Sequence, residues 1–553
     1  MGVGRSNGFQ NLSANKIVLK DGVNIGQNGA EHDDEFLFKC FFDHPAYSQL
    51  VDTSSPSTFV LGSTGAGKTA ILRMVNKLQD TATELEVHSL AMNHIANSDT
   101  ISFLKTLDVD LSLFFQALWR HVFCVEYIKV AVQASTEDQF RFKITRIFEA
   151  AKRQKQKEKL QQFVDDHSQQ FWNTIDENVI ELTDSLENGF NAEFGGELKK
   201  FNARAGFVHN LGSQQKVQLQ QRARKFLNDA TLSELPSVIA ALGDYTQGRQ
   251  DKFFITVDGL DENWVDDDIK FQLLQALFET LKHLKKLRNF QVIVAVRNDL
   301  YVRMIRETPA SQRQIEKYDD LIVRMKWTKA QLRSLAEKRI EEVFKRKYSS
   351  EQVGFDDIFK QKPDSRTSTW DFIVDRTLLR PRDVINFINL ALDAAEGKSA
   401  VSKNSLLTGE TNYSNLRHET LIHEWSGTFP GISPMIELLR DRPAYREASE
   451  LMHSRLIEQL YDAMGGYVGY KLDDVWALME GWVAGTQTLE PSSLAQIILY
   501  RLHLVGAIGL KLRPDRPWDW IYQTMRPVSE QQIDATTKFR VHPMLYAALG
   551  VRK

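Results

Sequence analysis

The stretch Gly62-Ser63-Thr64-Gly65-Ala66-Gly67-Lys68-Thr69 constrains this chain more than any other. It reads GxxxxGK[ST], and it lies between a β-rich run, Ser57 to Leu61, and a segment from Ala70 to Leu78 with helical apolar spacing. A strand, a glycine loop and a helix in that order direct backbone N–H groups and the positive end of a helix dipole at one point. Glycines let the backbone curl round phosphates, Lys68 reaches the β/γ-phosphates, and the Thr69 hydroxyl binds Mg²⁺. The expected ligands are ATP and Mg²⁺, bound by all eight residues of the loop.

A phosphate site of this kind needs a carboxylate for the metal at the end of a neighbouring strand. Asp258 directly follows the apolar run Phe253-Phe254-Ile255-Thr256-Val257 and is the expected Mg²⁺ ligand beside Thr69. Asp261 and Glu262 follow at once, and either can orient or deprotonate an attacking water. A further apolar run, Gln291 to Val296, ends in Arg297. Both runs are continuous rather than alternating, as a parallel sheet covered on both faces requires, so the expected fold is α/β.

Charge and length bound the rest. The 553 residues carry 69 Lys+Arg against 72 Asp+Glu, a net −3, so any surface for nucleic acid must be local. The local candidate is the tract from Arg141 to Lys159, with eight basic residues against two acidic, in a Gln/Lys/Glu-rich, strand-poor region. Cys40 and Cys124 form no CxxC pair, which excludes a disulfide framework and a structural zinc site and leaves buried thiols. No apolar run is long enough for a bilayer, and Met1 to Asn15 lacks a signal-peptide pattern. The expectation is a cytoplasmic protein without a membrane partner.

The length accommodates three or four domains. The expected organisation is an N-terminal arm and first half of the core (1–135), a helical insertion (136–232), the second half of the core (233–328), a helical region (329–400) and a C-terminal domain (401–553). Within these, Gly397 to Asn415 reads as a loop. A helix near Leu494 to Val505, a strand at Ala507 to Leu512, a turn through Arg513 to Pro517 and a strand at Trp518 to Gln523 form a winged-helix pattern, with Lys511, Arg513 and Arg516 on the wing. His418 and His423 fall five apart, about 140° round a helix, and so do not face one metal.

Val257-Asp258-Gly259-Leu260-Asp261-Glu262 resembles the Walker B box of NACHT-type members of the STAND class of P-loop ATPases. The resemblance implies a P-loop NTPase core that hydrolyses ATP, with Arg297 sensing the γ-phosphate. Leu379-Arg380-Pro381-Arg382-Asp383-Val384, with Asn386 and Asn389, is similar to the lid signature of STAND and AAA+ modules. That implies Pro381 near the adenine and Arg382 on the phosphates. Ile25-Gly26 with its acidic helix, the loop, the acidic box, Arg297-Asn298-Asp299 and Phe539 to Pro543 together resemble bacterial P-loop ATPases associated with anti-phage defence. This implies a regulatory or sensor ATPase that forms a homo-oligomer and acts with a separate effector protein. In a ring, Arg324 is positioned in sequence to serve as an arginine finger in trans. Two alternatives stay open at this point: an ATPase that loads or remodels nucleic acid through the basic insertion or the wing, and a nucleotide-stabilised scaffold without turnover.

Overall fold

Runs that are apolar on both faces bury themselves fully only inside a covered parallel sheet. In the computed structural model β1 (Phe59–Gly62), β3 (Phe253–Asp258), β4 (Phe290–Arg297) and β5 (Ile322–Arg324) are largely buried runs that pair in one sheet, with the more polar β2 (Ala82–Glu86) at its edge. Their order is β2-β3-β4-β1-β5 and every pairing is parallel. The fold is therefore α/β. The structure describes residues 18–86, 98–132, 175–203, 207–232, 235–246, 251–261, 267–285, 287–307, 316–347, 353–525 and 527–552. They fold as two compact units, one of Asp43–Ser63 and Lys68–Met325, the other of Met1–Phe42, Thr64–Gly67 and Lys326–Lys553.

The sheet lies in the Asp43–Ser63 and Lys68–Met325 unit, and two helices, Ser112–Val132 and Asp267–Leu284, build the core against it. Phe59 of β1 stacks on Phe278 at 3.7 Å between ring centres, and Tyr127 meets Phe290 edge-on at 4.6 Å. The two helices are tied by Trp119, whose indole N–H donates to Leu273 O at 2.9 Å. Asp258 was expected on the strand next to β1, but β4 lies between them. Seven of the eight β4 residues are buried, and a strand that apolar belongs at the centre of the sheet. The strand expected at Leu85 to Leu90 begins earlier, at Ala82, and residues 87–97 lie outside the described ones.

Helices Ile175–Ala203 and Ser213–Leu232 occupy the described part of the insertion, and helix Leu235–Thr246 follows it at the start of the second half of the core. They share the sheet's core: Phe190 stacks on Phe194 at 4.4 Å and meets Phe103 at 6.0 Å. The basic tract 141–159 lies outside the described residues.

In the other unit, the expected loop at Gly397 to Asn415 is largely helix, running Lys403–Ser426. Ser402 caps it by accepting from Ser405 N at 3.2 Å, and Leu406, Tyr413, Leu421 and Trp425 are buried along it. Burial of that stripe outweighs the weak helix propensity of Gly, Ser and Asn. Gly409 gives the close approach to helix Pro381–Asp393 that this packing needs: a Cβ there would stand 2.8 Å from Ala391 Cα. Nearer the C-terminus, β6 (Tyr445–Glu447), β7 (Ile508–Lys511) and β8 (Lys538–Val541) form an antiparallel sheet in the order β6-β8-β7. Helix Pro491–Leu504 precedes β7, as expected. The expected strand Trp518 to Gln523 pairs with β7 only at Asp519, then becomes a short helix, Ile521–Thr524, and β8 takes its place. Trp520 turns the chain inward by packing on Gly509, where a Cβ would stand 2.7 Å from its indole. No helix among the described residues is long and apolar enough to cross a membrane.

Gly409→Ala should lower stability by about 1–3 kcal/mol through overpacking. Gly196→Ala, inside helix Ile175–Ala203 with open space round its Cα, should instead raise it by about 0.5–1 kcal/mol. Thermal unfolding of the two variants checks both signs.

Candidate functional site

Parallel pairing brings the carboxyl ends of β1, β3 and β4 to one edge of the sheet. Gly62 at the end of β1 is in register with Arg297 at the end of β4, and Val257, one residue before the end of β3, pairs with Val294, three residues before the end of β4. Helix Lys68–Leu78 starts from the loop after β1. Gly65 and Gly67 have φ of 77° and 96°, left-handed values that a glycine adopts without strain.

Lys68 is buried, and its ammonium donates to Gly62 O at 3.0 Å and Ser63 O at 3.1 Å. Burial pulls its pKa down to about 8, against the opposing pull of the Asp261 and Asp258 carboxylates. Burial likewise raises Asp258 above the ordinary carboxylate range, although the Thr69 hydroxyl and Gly259 N–H hydrogen-bond to it and Lys68 lies close. Arg297 is held in a fork by Asp299 through Nε and Nη2, both at 2.9 Å, and donates Nη1 to Asp261 at 3.0 Å. Burial opposes its charge, but these two carboxylates raise its pKa above the ordinary value. Asn298 donates to Ser63 Oγ at 3.1 Å, which fixes the start of the loop to β4.

The expected site residues Gly62, Ser63, Lys68, Thr69, Asp258, Asp261 and Arg297 are thus grouped by the sheet. Glu262 lies outside the described residues. Thr69 and Asp258 supply one hydroxyl and one carboxylate side by side. Among the described residues no cluster of three or more His, Cys, Asp or Glu suits a metal. A divalent ion at Thr69 and Asp258 would take its other ligands from phosphate and water, a habit of Mg²⁺.

Thr64, Gly65, Ala66 and Gly67 belong to the other unit and are held there by two side chains and one main-chain amide. Trp327 donates its indole N–H to Ala66 O at 2.8 Å, Arg380 donates Nη1 to Thr64 O at 3.0 Å, and Arg382 N donates to Gly65 O at 3.3 Å. The Thr64 hydroxyl is buried with no hydrogen-bond partner. Pro381 is the buried first residue of its helix, and Arg382 donates Nε to Asn28 O at 2.8 Å. Asn389 grips the N-terminal arm, accepting from Ile25 N at 2.9 Å and donating to Gly26 O at 3.0 Å. Arg339 adds a buried ion pair to Asp33 at 2.6 Å and a bond to Ile25 O at 2.9 Å.

Arg380 and Asn298 carry no expected role, although they adjoin Pro381 and Arg297, and neither does Asp299, two residues from Arg297. Arg324 donates to Asp319 at 2.8 Å. His418 Nε2 lies 3.2 Å from Glu437 Oε1. Cys40 and Cys124 are buried free thiols, and burial pushes Cys124 up to about 12.

Residues 330–422, which include Arg380, Pro381, Arg382 and Asn389, match a family described as the FunZ-associated C-terminal helical domain. Over 543 residues the chain is 20% identical to the "Putative transposon gamma-delta 80.3 kDa protein" of Escherichia coli (strain K12), an alignment that covers 96% of this chain and 67% of that protein.

Arg297→Ala leaves Asp299 without its fork and should cost about 2–3 kcal/mol. Asp261→Asn, at a side chain 35% exposed, should cost less than about 1 kcal/mol. Urea unfolding of the full chain separates the two.

Proposed function

We propose that the chain is a Mg²⁺-dependent ATPase of the STAND/AAA+ type, with a P-loop NTPase core, a helical insertion, a lid over residues 329–400 and a winged-helix-like C-terminal domain. The observation that carries this reading is the meeting of Lys68, the Thr69–Asp258 pair and Arg297 at one edge of a parallel sheet. The residues present suit the ligands: a buried cation whose hydrogen bonds among the described residues go to the Gly62 and Ser63 carbonyls, and a hydroxyl–carboxylate pair.

In this reading Lys68 exchanges the Gly62 and Ser63 carbonyls for β- and γ-phosphate oxygens. Thr69 and Asp258 hold Mg²⁺, which when bound neutralises phosphate charge. Arg297 turns to the γ-phosphate and so releases Asp261, which becomes free to orient water; Glu262 is the alternative base. By the resemblance to lid signatures, Pro381 would read the adenine and Arg382 the phosphates. The nucleotide state then sets what the insertion and tail present to a separate effector, in a cytoplasmic homo-oligomer serving bacterial anti-phage defence. Similarity to a protein named for a transposon favours a second reading, in which the same cycle loads or remodels nucleic acid.

Lys68→Ala should abolish Mg²⁺-dependent phosphate release; full turnover in that variant would sink the site. Glu262→Gln and Asp261→Asn identify the base, since only the variant lacking it should lose turnover while retaining ATP. DNA-stimulated turnover that falls steeply with salt would select the second reading. Lys68 titrates near 8 in the free chain, so it loses its proton as pH rises through that value. Affinity for Mg·ATP should therefore weaken by up to roughly tenfold per pH unit above about pH 8, and Lys68→Arg should flatten the decline. Calorimetric titration at several pH values measures it.

A further inference from the structure

The edge strand β6 and the helices beside it enclose a cleft of about 780 Å³, large enough for a nucleotide. Arg440, Arg442, Arg446, His453 and Arg455 line it, against two carboxylates, Glu437 and Glu450. Both carboxylates are already engaged. Glu437 holds Arg440 through Nε at 2.5 Å and Nη2 at 2.9 Å, with His418 also beside it, and Glu450 accepts from Arg446 Nε at 2.8 Å. Arg442 and Arg455 are exposed and make no side-chain hydrogen bond or ion pair among the described residues. The cleft therefore carries a positive excess that its own carboxylates do not balance.

Arg446 makes this more than a charged surface. Its side chain is only 9% exposed, its guanidinium lies 5.5 Å from the Phe539 ring centre, and its Nη1 has no hydrogen-bond partner. Glu450 and the ring hold the guanidinium in one orientation, with its Nη1 buried and unpaired. A rigid fork of this kind suits an oxyanion with two oxygens to offer. Leu438, Leu451 and Pro434 supply apolar wall beside it.

We propose that this cleft binds the phosphate groups of a nucleotide or an oligonucleotide. The site is separate from the wing arginines and does not depend on the ATPase reading, because binding here requires no turnover. Arg442 and Arg455 contact the phosphate, Arg446 is held beside them by Glu450, and Arg440, whose three nitrogens are taken by Glu437 and Ala548 O, adds only its positive field.

The test uses the full chain and an Arg442→Glu/Arg455→Glu variant, both exposed positions whose replacement leaves the fold intact. Fluorescence anisotropy with a fluorescein-labelled oligothymidylate of about twelve nucleotides, and calorimetry with inorganic pyrophosphate, read binding. The double variant should lose at least about tenfold in affinity with its melting temperature unchanged. For the oligonucleotide, loss of two phosphate contacts should make the slope of log affinity against log salt shallower by about 1.4. Loss of both probes assigns a free phosphate group as sufficient; loss of the oligonucleotide alone, with pyrophosphate never bound, assigns the polymer backbone. Arg446→Lys, which keeps the charge and removes the fork, should weaken the same probe. Failure of the wild-type chain to bind either probe, equal binding by wild type and double variant, or displacement by polyglutamate as readily as by the phosphate probes would overturn the proposal.

Discussion

A buried ammonium governs the edge of the sheet where the chemistry gathers. Lys68 cannot hold a full charge away from water without oxygen partners, and the loop supplies two from its own main chain, Gly62 O and Ser63 O. Asp258 and Asp261 lower the cost further by their charge. Arg297 then serves as counterweight, keeping two of the three nearby acids, Asp261 and Asp299, from meeting as bare like charges. The site is thus electrostatically closed on itself, and any phosphate that enters must offer Lys68 and Arg297 more than these internal partners do.

How much of this was legible in the sequence depended on range. The glycine loop, the runs of β3 and β4 and the helix that follows the loop, Lys68–Leu78, follow from local pattern, because periodicity and glycine chemistry are local properties. Strand order is not local: only pairing across the sheet shows that β4 separates Asp258 from β1. Helix Lys403–Ser426 was hidden for a related reason. Its composition reads as loop until Tyr413 and Trp425 find a core and Gly409 finds Ala391.

The roles of Arg380 and Asn298 were hidden because each acts on a main-chain or hydroxyl oxygen distant in sequence, Thr64 O and Ser63 Oγ. Nothing in a motif announces such a bond. In the same way, Trp518 to Gln523 has the composition of a strand, but Trp520 has more to gain by covering Gly509 than by extending a hairpin.

The grip of Asn389 on Ile25 and Gly26 joins residues 364 positions apart, and that of Arg339 on Asp33 spans 306. One unit therefore begins with the arm and closes only after the whole of the other has been made. At synthesis rates of 5–20 residues per second the interval is on the order of 20–70 s. During it Asp33 must stay solvated and the arm must stay out of wrong pairings while the sheet forms. The order of birth thus favours the sheet unit as the first to fold on the ribosome, with the arm recruited last by partners that did not exist when it emerged.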